Sequence, residues 1–307
     1  MNLKITFKFK FINFTEKVIM LILFMIKLLD THQHLVYRDV ANYSWAKDIP
    51  PLATENFTVE DYNKLTEDMG IGGTLFMETG VDDPDYQNEA RNVQNLAENS
   101  SNGIRGLIVS IRPEEDSEFS SWFEKTIEMG VSGYRRILHV MPDETSLAQT
   151  FVNNVKKIGK AGKPFDICYL PTQLSVAYDF AKNCDETHLV LNHCGVPSIA
   201  AGEIDQWGKD IKKLAELPNV ICKLSGLMAY CAPGTSSQET IQPYVDHVLE
   251  CFGPSRMVWG SDWPVVNLGK GIQEWISVTR NILSNLSDDE ATAIGNANAQ
   301  KIYKVSL

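Results

Sequence analysis

Short, nearly continuous apolar runs recur along the chain, separated by longer stretches with helical periodicity. The runs fall at about 26–29, 73–77, 104–111, 132–138, 164–169, 188–192, 220–224 and 257–259. Each has the length of a strand, and an unbroken apolar run suits a strand buried on both faces, whereas a half-exposed strand alternates. The intervening amphipathic stretches lie near 59–69, 85–98, 118–129, 147–161, 172–183, 207–216, 241–251 and 272–283. A last helix over 288–303 would start from Ser287 as its N-cap. Parallel strands need crossovers of this kind. Eight such units predict an α/β chain folded as a (β/α)8 TIM barrel. No linker rich in Pro, Gly or Ser and no charge block divides the chain, so residues 25–307 read as a single domain.

Residues 1–24 stand apart. Lys4, Lys8, Lys10 and Lys17 flank apolar stretches, and 18–26 forms an apolar run like the core of a signal peptide. The run is shorter than the roughly 20 residues that cross a bilayer, and no small-residue cleavage site lies in 21–29. Cleavage there would also fall beside the strand leading to His32. The expectation is a start placed too early, with Met20 or Met25 opening the working protein and 1–24 a non-native or disordered extension.

Composition adds exclusions. With 307 residues and a formal charge of −11, the chain lacks the basic balance that a nucleic-acid partner requires. No segment reads as a membrane span. Six cysteines are scattered without a C-x-x-C pair, several inside apolar runs, which suits reduced buried thiols in a cytoplasmic protein rather than a structural zinc site. A homo-oligomer is compatible with these features.

The polar residues that break the apolar pattern cluster at strand ends. Asp30-Thr31-His32-Gln33-His34 closes the first run, Asn192-His193-Cys194-Gly195 the sixth, and Trp259-Gly260-Ser261-Asp262-Trp263-Pro264 the eighth. Residues i and i+2 of a strand share a face, so His32 and His34 converge on one spot. In a TIM barrel the C-terminal strand ends form the active face, which gathers His32, His34, His193 and Asp262 there. Such a set suits water activation and carbonyl polarisation, with or without a metal held by these same four residues. Asp262, ringed by Trp259, Trp263 and Pro264, is the expected general base, its pKa raised by partial desolvation. Of Arg135 and Arg136, adjacent in a strand, one must face inward; Arg136 is the preferred substrate contact. Lys223 could be a pocket cation or reach the rim, His139 could reach substrate, and Tyr43 and Trp45 could form an aromatic wall. His188 and His247 read as structural.

Together these segments resemble the amidohydrolase-2 family, in particular its sugar-lactone hydrolase branch. The likeness is carried by the three clusters above with Gly133-Tyr134-Arg135-Arg136, Pro164-Phe165-Asp166 and Pro218-Asn219-Val220-Ile221-Cys222-Lys223-Leu224-Ser225-Gly226, and runs from about Lys27 to Lys304. The resemblance implies a TIM barrel that hydrolyses lactones of sugar acids, such as L-fuconolactone or L-rhamnonolactone, or related dicarboxylate lactones. It makes Asp262 the base and His32, His34 and His193 the carbonyl-polarising or metal-binding cluster. Binuclear members of the wider superfamily carry a bridging Lys or Glu on strand 4 and a His on strand 5. Here strand 5 offers Asp166, Cys168 and Tyr169. That points to one divalent metal, zinc by preference, or to none, and to a small-molecule lactone as the partner. A metal-dependent decarboxylase of the same superfamily is the alternative.

Overall fold

The computed structural model describes residues 26–307, so the expectation for residues 1–24 lies outside the described part. Eight strands form one parallel sheet in sequence order: β1 (Leu28–Gln33), β2 (Ile71–Met77), β3 (Ile104–Ser110), β4 (Gly133–Ile137), β5 (Phe165–Cys168), β6 (Leu189–Leu191), β7 (Val220–Leu224) and β8 (Met257–Trp259). Helices α1 (Val59–Leu65), α2 (Tyr86–Glu98), α3 (Asp116–Glu128), α4 (Gln149–Lys160), α5 (Leu174–Asn183), α6 (Asp205–Ala215), α7 (Gln238–Phe252) and α8 (Gly271–Leu283) follow the strands in turn. This is the (β/α)8 barrel expected from the pattern.

Two cores result from the two faces of each strand. The larger lies between the sheet and the helices and includes Leu28, Tyr134, Phe165, Leu191 and Trp259. The smaller fills the barrel interior with Leu29, Leu75, Met77, Ile108, Val190, Ile221 and Val258, capped from below by Ala299 and Tyr303. The alternation of side chains along a strand accounts for neighbours such as Leu28 and Leu29 entering different cores.

The single helix expected over 288–303 is instead α9 (Asp288–Thr292), a π-turn over Ala293–Ala297 and α10 (Asn298–Tyr303). Ser287 caps α9, accepting from the Glu290 N–H in a capping box. The π-turn has a tertiary cause. The Asn296 side-chain amide donates to Lys27 O at 2.7 Å and that of Asn298 to Met257 O at 2.7 Å, tying the segment to the entries of β1 and β8.

The ring closes between β8 and β1 at the C-terminal rim. Asp262 N donates to His32 O (2.9 Å), His34 N to Trp263 O (2.8 Å) and Ser261 N to the Asp30 carboxylate (2.7 Å). The seam of the barrel is therefore built from the polar segments that interrupt the apolar pattern.

Candidate active site

A break in strand geometry aims His32 of β1 and His34 just beyond it. Leu29 points into the barrel, so regular alternation would send residues 31 and 33 inward after it. The pairing with β2 shifts register between Asp30 and Gln33, and the inward positions pass to His32 and His34. Asp30 pins this irregularity: its buried carboxylate accepts from His32 N (2.9 Å), Ser261 N (2.7 Å) and the Tyr62 hydroxyl (2.7 Å). Gly260 on the neighbouring seam leaves the necessary space, since a Cβ there would stand 2.7 Å from His32 Cβ.

The other two groups sit on strained backbone. Among the described residues six non-glycine residues have positive φ, and four of them belong to the site loops: His193 (52°), Cys194 (53°), Val196 (51°) and Asp262 (60°). Left-handed backbone costs an L-residue about 1–2 kcal/mol. Its concentration here, after β6 and β8, is the pattern expected where geometry serves a site rather than stability.

The result is a compact polar floor. His34 Nε2 lies 3.4 Å and His32 Nε2 3.7 Å from Asp262 Oδ1, and His193 Nδ1 lies 3.7 Å from Asp262 Oδ2. The His32 ring is edge-on to His34 at 4.8 Å and tilted against His193 at 4.5 Å. Burial holds the His193 imidazole down to about 4, with the Asp262 carboxylate opposing. Burial also holds His32 well below the ordinary range, helped by the charges of His193 and Lys223. Both rings are thus neutral at neutral pH, the form that ligates a metal or accepts a proton.

Hydrogen bonds assign the His34 ring. Its Nδ1 lies 2.9 Å from Met77 O, which can only accept, so Nδ1 carries a proton and Nε2 is the nitrogen turned toward Asp262 Oδ1. Nε2 and Oδ1 face each other across 3.4 Å. With the imidazole neutral the pair is complementary to a water donating both O–H bonds, or to a divalent cation. Asp262 Oδ2 is also buried without a hydrogen-bond partner among the described residues. One donor atom each from His32, His193 and Asp262 lies within 4.8 Å of the others. The donor set, neutral imidazole with carboxylate, fits one divalent ion.

Arg135, and not Arg136, is the strand-β4 cation that turns inward, which corrects the expected substrate contact. Arg136 faces outward, where its guanidinium pairs with Glu114 (2.6 and 2.8 Å). The reason is strand parity: Arg135, Ile137 and His139 line the mouth together, so fixing His139 there would have chosen Arg135 from the sequence. Arg135 Nε donates to Glu78 Oε1 (2.6 Å), Nη2 to Glu78 O (2.6 Å) and Nη1 to His32 Nε2 (3.2 Å). Burial alone would push the Glu78 carboxyl up, but Arg135 and the Gly80 N–H outweigh it and hold Glu78 below the ordinary carboxylate range. Glu78 belongs to no motif, although it follows directly on the apolar run of β2, the strand-end position that marked the other site residues.

Lys223 also faces inward but does not reach the cavity. It is fully buried beneath the floor, where Nζ donates to Asp166 Oδ1 (2.6 Å) and Thr31 O (2.9 Å). Asn192 and Tyr303 complete the shell of Asp166 at 2.7 and 2.8 Å. This ion pair needs satisfied partners to persist at such depth, and one turn of the sheet places it a layer too low to grip substrate.

Above the floor opens a cavity of about 370 Å³, a size usual for small-molecule sites. His34, His193, Asp262 and Arg135 form its base, while Trp45, His139 and Tyr230 contribute to its walls. Trp45 Nε1 donates to Thr79 O (2.9 Å), and His139 Nδ1 lies 3.3 Å from Cys168 Sγ. Tyr43 is instead buried away from the mouth, its hydroxyl accepting from Tyr37 N. Tyr230, absent from the expected set, packs edge-on to His193 at 6.0 Å. Burial, then the nearby Asp262 carboxylate, push its phenol well up, so it remains a donor at any working pH. His247 bonds Gly208 O between α7 and α6, and His188 lies at the opposite barrel end, both away from the floor.

Two predictions arise from this geometry. Gly226, at φ +68°, carries no side chain where a Cβ would collide with Asp262 Oδ2 and stand 3.1 Å from His193 Nδ1. Gly226→Ala is expected to cost about 1–2 kcal/mol in backbone strain and to cut turnover by at least about tenfold by displacing the carboxylate; a variant with unchanged kcat would refute the close fit. The second concerns Glu89 on α2, which supports Thr79 N at 3.1 Å. Burial, then the Glu78 charge, push its carboxyl up to about 8. The raised native pKa stabilises the fold below the unfolded-state value near 4.5, and this contribution is lost as pH rises toward 8. Glu89→Gln keeps an acceptor and removes the titration. Denaturant unfolding is therefore expected to show the variant gaining on wild type by about 1.4 kcal/mol per pH unit across that window. Parallel stability curves for the two proteins would count against it.

Among the described residues no helix is long and apolar enough to cross a membrane. Comparison with known proteins agrees with the barrel. The family described as Amidohydrolase matches residues 29–305, nearly the whole described chain, and the chain belongs to it. An L-fucono-1,5-lactonase of Burkholderia multivorans is 26% identical over 292 residues, covering 90% of this chain and 95% of that protein. An L-rhamnono-gamma-lactonase of Scheffersomyces stipitis is 22% identical, covering 80% and 78%. A solved amidohydrolase from Burkholderia multivorans with bound zinc superposes with a TM-score of 0.80 at 24% identity, covering 91% of this chain and 100% of that one.

Proposed function

We propose that this member of the amidohydrolase family is a hydrolase of carboxylic ester bonds that opens the lactone ring of a sugar acid. The observation that carries the reading is the Asp262 carboxylate, held on left-handed backbone within 3.4–3.7 Å of three imidazoles at the base of the cavity. The lactonase relatives, L-fucono-1,5-lactonase and L-rhamnono-gamma-lactonase, support it.

In this reading a water bridges Asp262 and His34 Nε2 and attacks the lactone carbonyl carbon. Asp262 takes the water proton as the carbon–oxygen bond forms. The Arg135 guanidinium and the Tyr230 hydroxyl face the developing oxyanion and stabilise it electrostatically in a site shielded from solvent. As the ring carbon–oxygen bond breaks, protonated Asp262 returns its proton to the leaving oxygen, which becomes the hydroxyl of the ring-opened acid. One water is consumed and the acid then ionises. His32, His34, His193 and Asp262 would hold a divalent ion, zinc by preference, and an ion bound there supplies Lewis-acid polarisation of the carbonyl and a more acidic water. The neighbouring Arg135 cation would oppose it, which accords with an ion that is optional.

Acid release followed with a pH indicator over a panel of aldonolactones, with and without chelator, tests the proposal. Steady acid production without gas is the expected result. Carbon dioxide release that chelation abolishes would instead mark a metal-dependent decarboxylase and overturn it.

A further inference from the structure

A second concentration of charge lies at the opposite end of the barrel from the polar floor. A cavity of about 400 Å³ opens there among the end of α4, the entries of β6 and β7, and α10. Lys163, Arg256, Lys301 and Lys304 line it together with His188, against one carboxylate, Glu186. The chain as a whole runs the other way, with 28 Lys and Arg to 39 Asp and Glu. Among the described residues none of these four cations is held in an ion pair.

Backbone carbonyls account for two of them. Lys163 Nζ donates to Val131 O (2.6 Å), and Arg256 donates to Leu217 O (3.1 Å), Val220 O (3.3 Å) and Ala215 O (2.8 Å). Lys301 and Lys304 have no such carbonyl partner among the described residues. Lys304 closes α10 on left-handed backbone (φ 53°), a position where helices ordinarily carry glycine. Its ammonium sits over Gly162, where a Cβ would stand 2.5 Å from Lys304 Nζ. Burial, then the charge of Lys304, pull Lys163 below the ordinary lysine range. Strained backbone thus gathers like charges in a concave site, an arrangement that is unfavourable until an anion enters. No Phe, Tyr or Trp lines the cavity, so it offers a nucleobase nothing to stack on, while the Ser255 hydroxyl and the His188 ring add hydrogen-bonding groups. Ammonium groups meet compact oxyanions as point charges.

We propose that this cavity binds a compact polyanion, a phosphate or diphosphate group, held by Lys301 and Lys304 with Lys163 and Arg256 adding charge. The site is independent of the lactone reading and lies apart from the groups that carry it. Tyr303, adjacent to Lys304, donates to Asp166 Oδ2 at 2.8 Å and caps the barrel interior. An anion bound here therefore steadies the segment that closes the barrel from below.

Titration calorimetry and thermal melting of the full chain with inorganic phosphate, pyrophosphate and a hexose phosphate test it. Pyrophosphate is expected to bind at low salt with a Kd below about 1 mM and to raise the melting temperature. Its affinity should fall at least about tenfold when the salt concentration is raised about tenfold. A hexose phosphate that binds more tightly than inorganic phosphate marks a phosphorylated metabolite as the occupant, and the reverse order marks the free ion; either supports the site. Lys304→Gly suits the left-handed position, so this variant should melt at or above the wild-type temperature while its affinity for pyrophosphate falls at least about tenfold. Lys301→Gln, at an exposed position of α10, should weaken binding by about as much, whereas Glu186→Gln should tighten it by about two- to fivefold. No binding at low salt, or an affinity that neither lysine substitution changes, would overturn the proposal.

Discussion

Asp262→Asn is expected to lower kcat by at least about 10³-fold, or roughly 4 kcal/mol of transition-state stabilisation. The substitution keeps shape and removes the one property the chemistry needs, a carboxylate that takes up a proton and gives it back. Asn is also among the few residues that accept left-handed backbone readily, so the φ of +60° at this position is preserved. The new amide can even donate toward His34 Nε2, which now faces a carboxylate oxygen at 3.4 Å. The variant should therefore melt at or above the wild-type temperature while losing turnover. Near wild-type kcat in a well-folded variant would remove Asp262 from the role of base.

Arg135→Met is expected to damage both stability and activity. The side chain is 3% exposed and answers the charge of Glu78, itself 1% exposed. Removing one partner of a buried pair leaves the other uncompensated, at about 3–5 kcal/mol. For a chain of this size each kcal/mol is worth about 2–4 °C, so the melting temperature should fall by roughly 6–20 °C. Activity should fall by about 10²–10³-fold as the oxyanion loses its cationic neighbour. The double variant Arg135→Met with Glu78→Gln separates the two effects. Neutralising Glu78 should restore much of the stability and none of the turnover. Recovery of turnover in the double variant would show that Arg135 serves only to neutralise Glu78.

The eight strands were legible because each is an apolar run of strand length, and β7 and β8 coincide with the runs at 220–224 and 257–259. Ser287 was legible as a cap because a Ser followed three residues later by Glu has a local geometry to satisfy. The four groups of the floor were legible because each interrupts an apolar pattern at the strand end where barrels place chemistry. Arg136 was mistaken for the inward arginine because parity within β4 depends on where the strand enters the barrel, which two adjacent arginines cannot reveal. Lys223 was correctly inside the strand but its depth was invisible: a sequence shows which face a residue takes, and not which layer. Glu78 ends the apolar run at 73–77 as the floor groups end theirs, but a lone carboxylate there has no partner motif to give it a role, and Tyr230 lies in a loop that no apolar pattern marks, so only the cavity exposes it.

The amino-acid pattern by itself determined the barrel and the end of it that carries the polar residues, because strand length, helical period and the apolar run are local properties that every residue reports on directly. Only the tertiary structure decided which side chains meet. The slip of register at Asp30, the missing side chains of Gly226 and Gly260, and the strained turns at His193 and Asp262 act between segments more than 30 residues apart. Contacts across such separations depend on how the strands are staggered around the ring, a quantity that no single strand encodes.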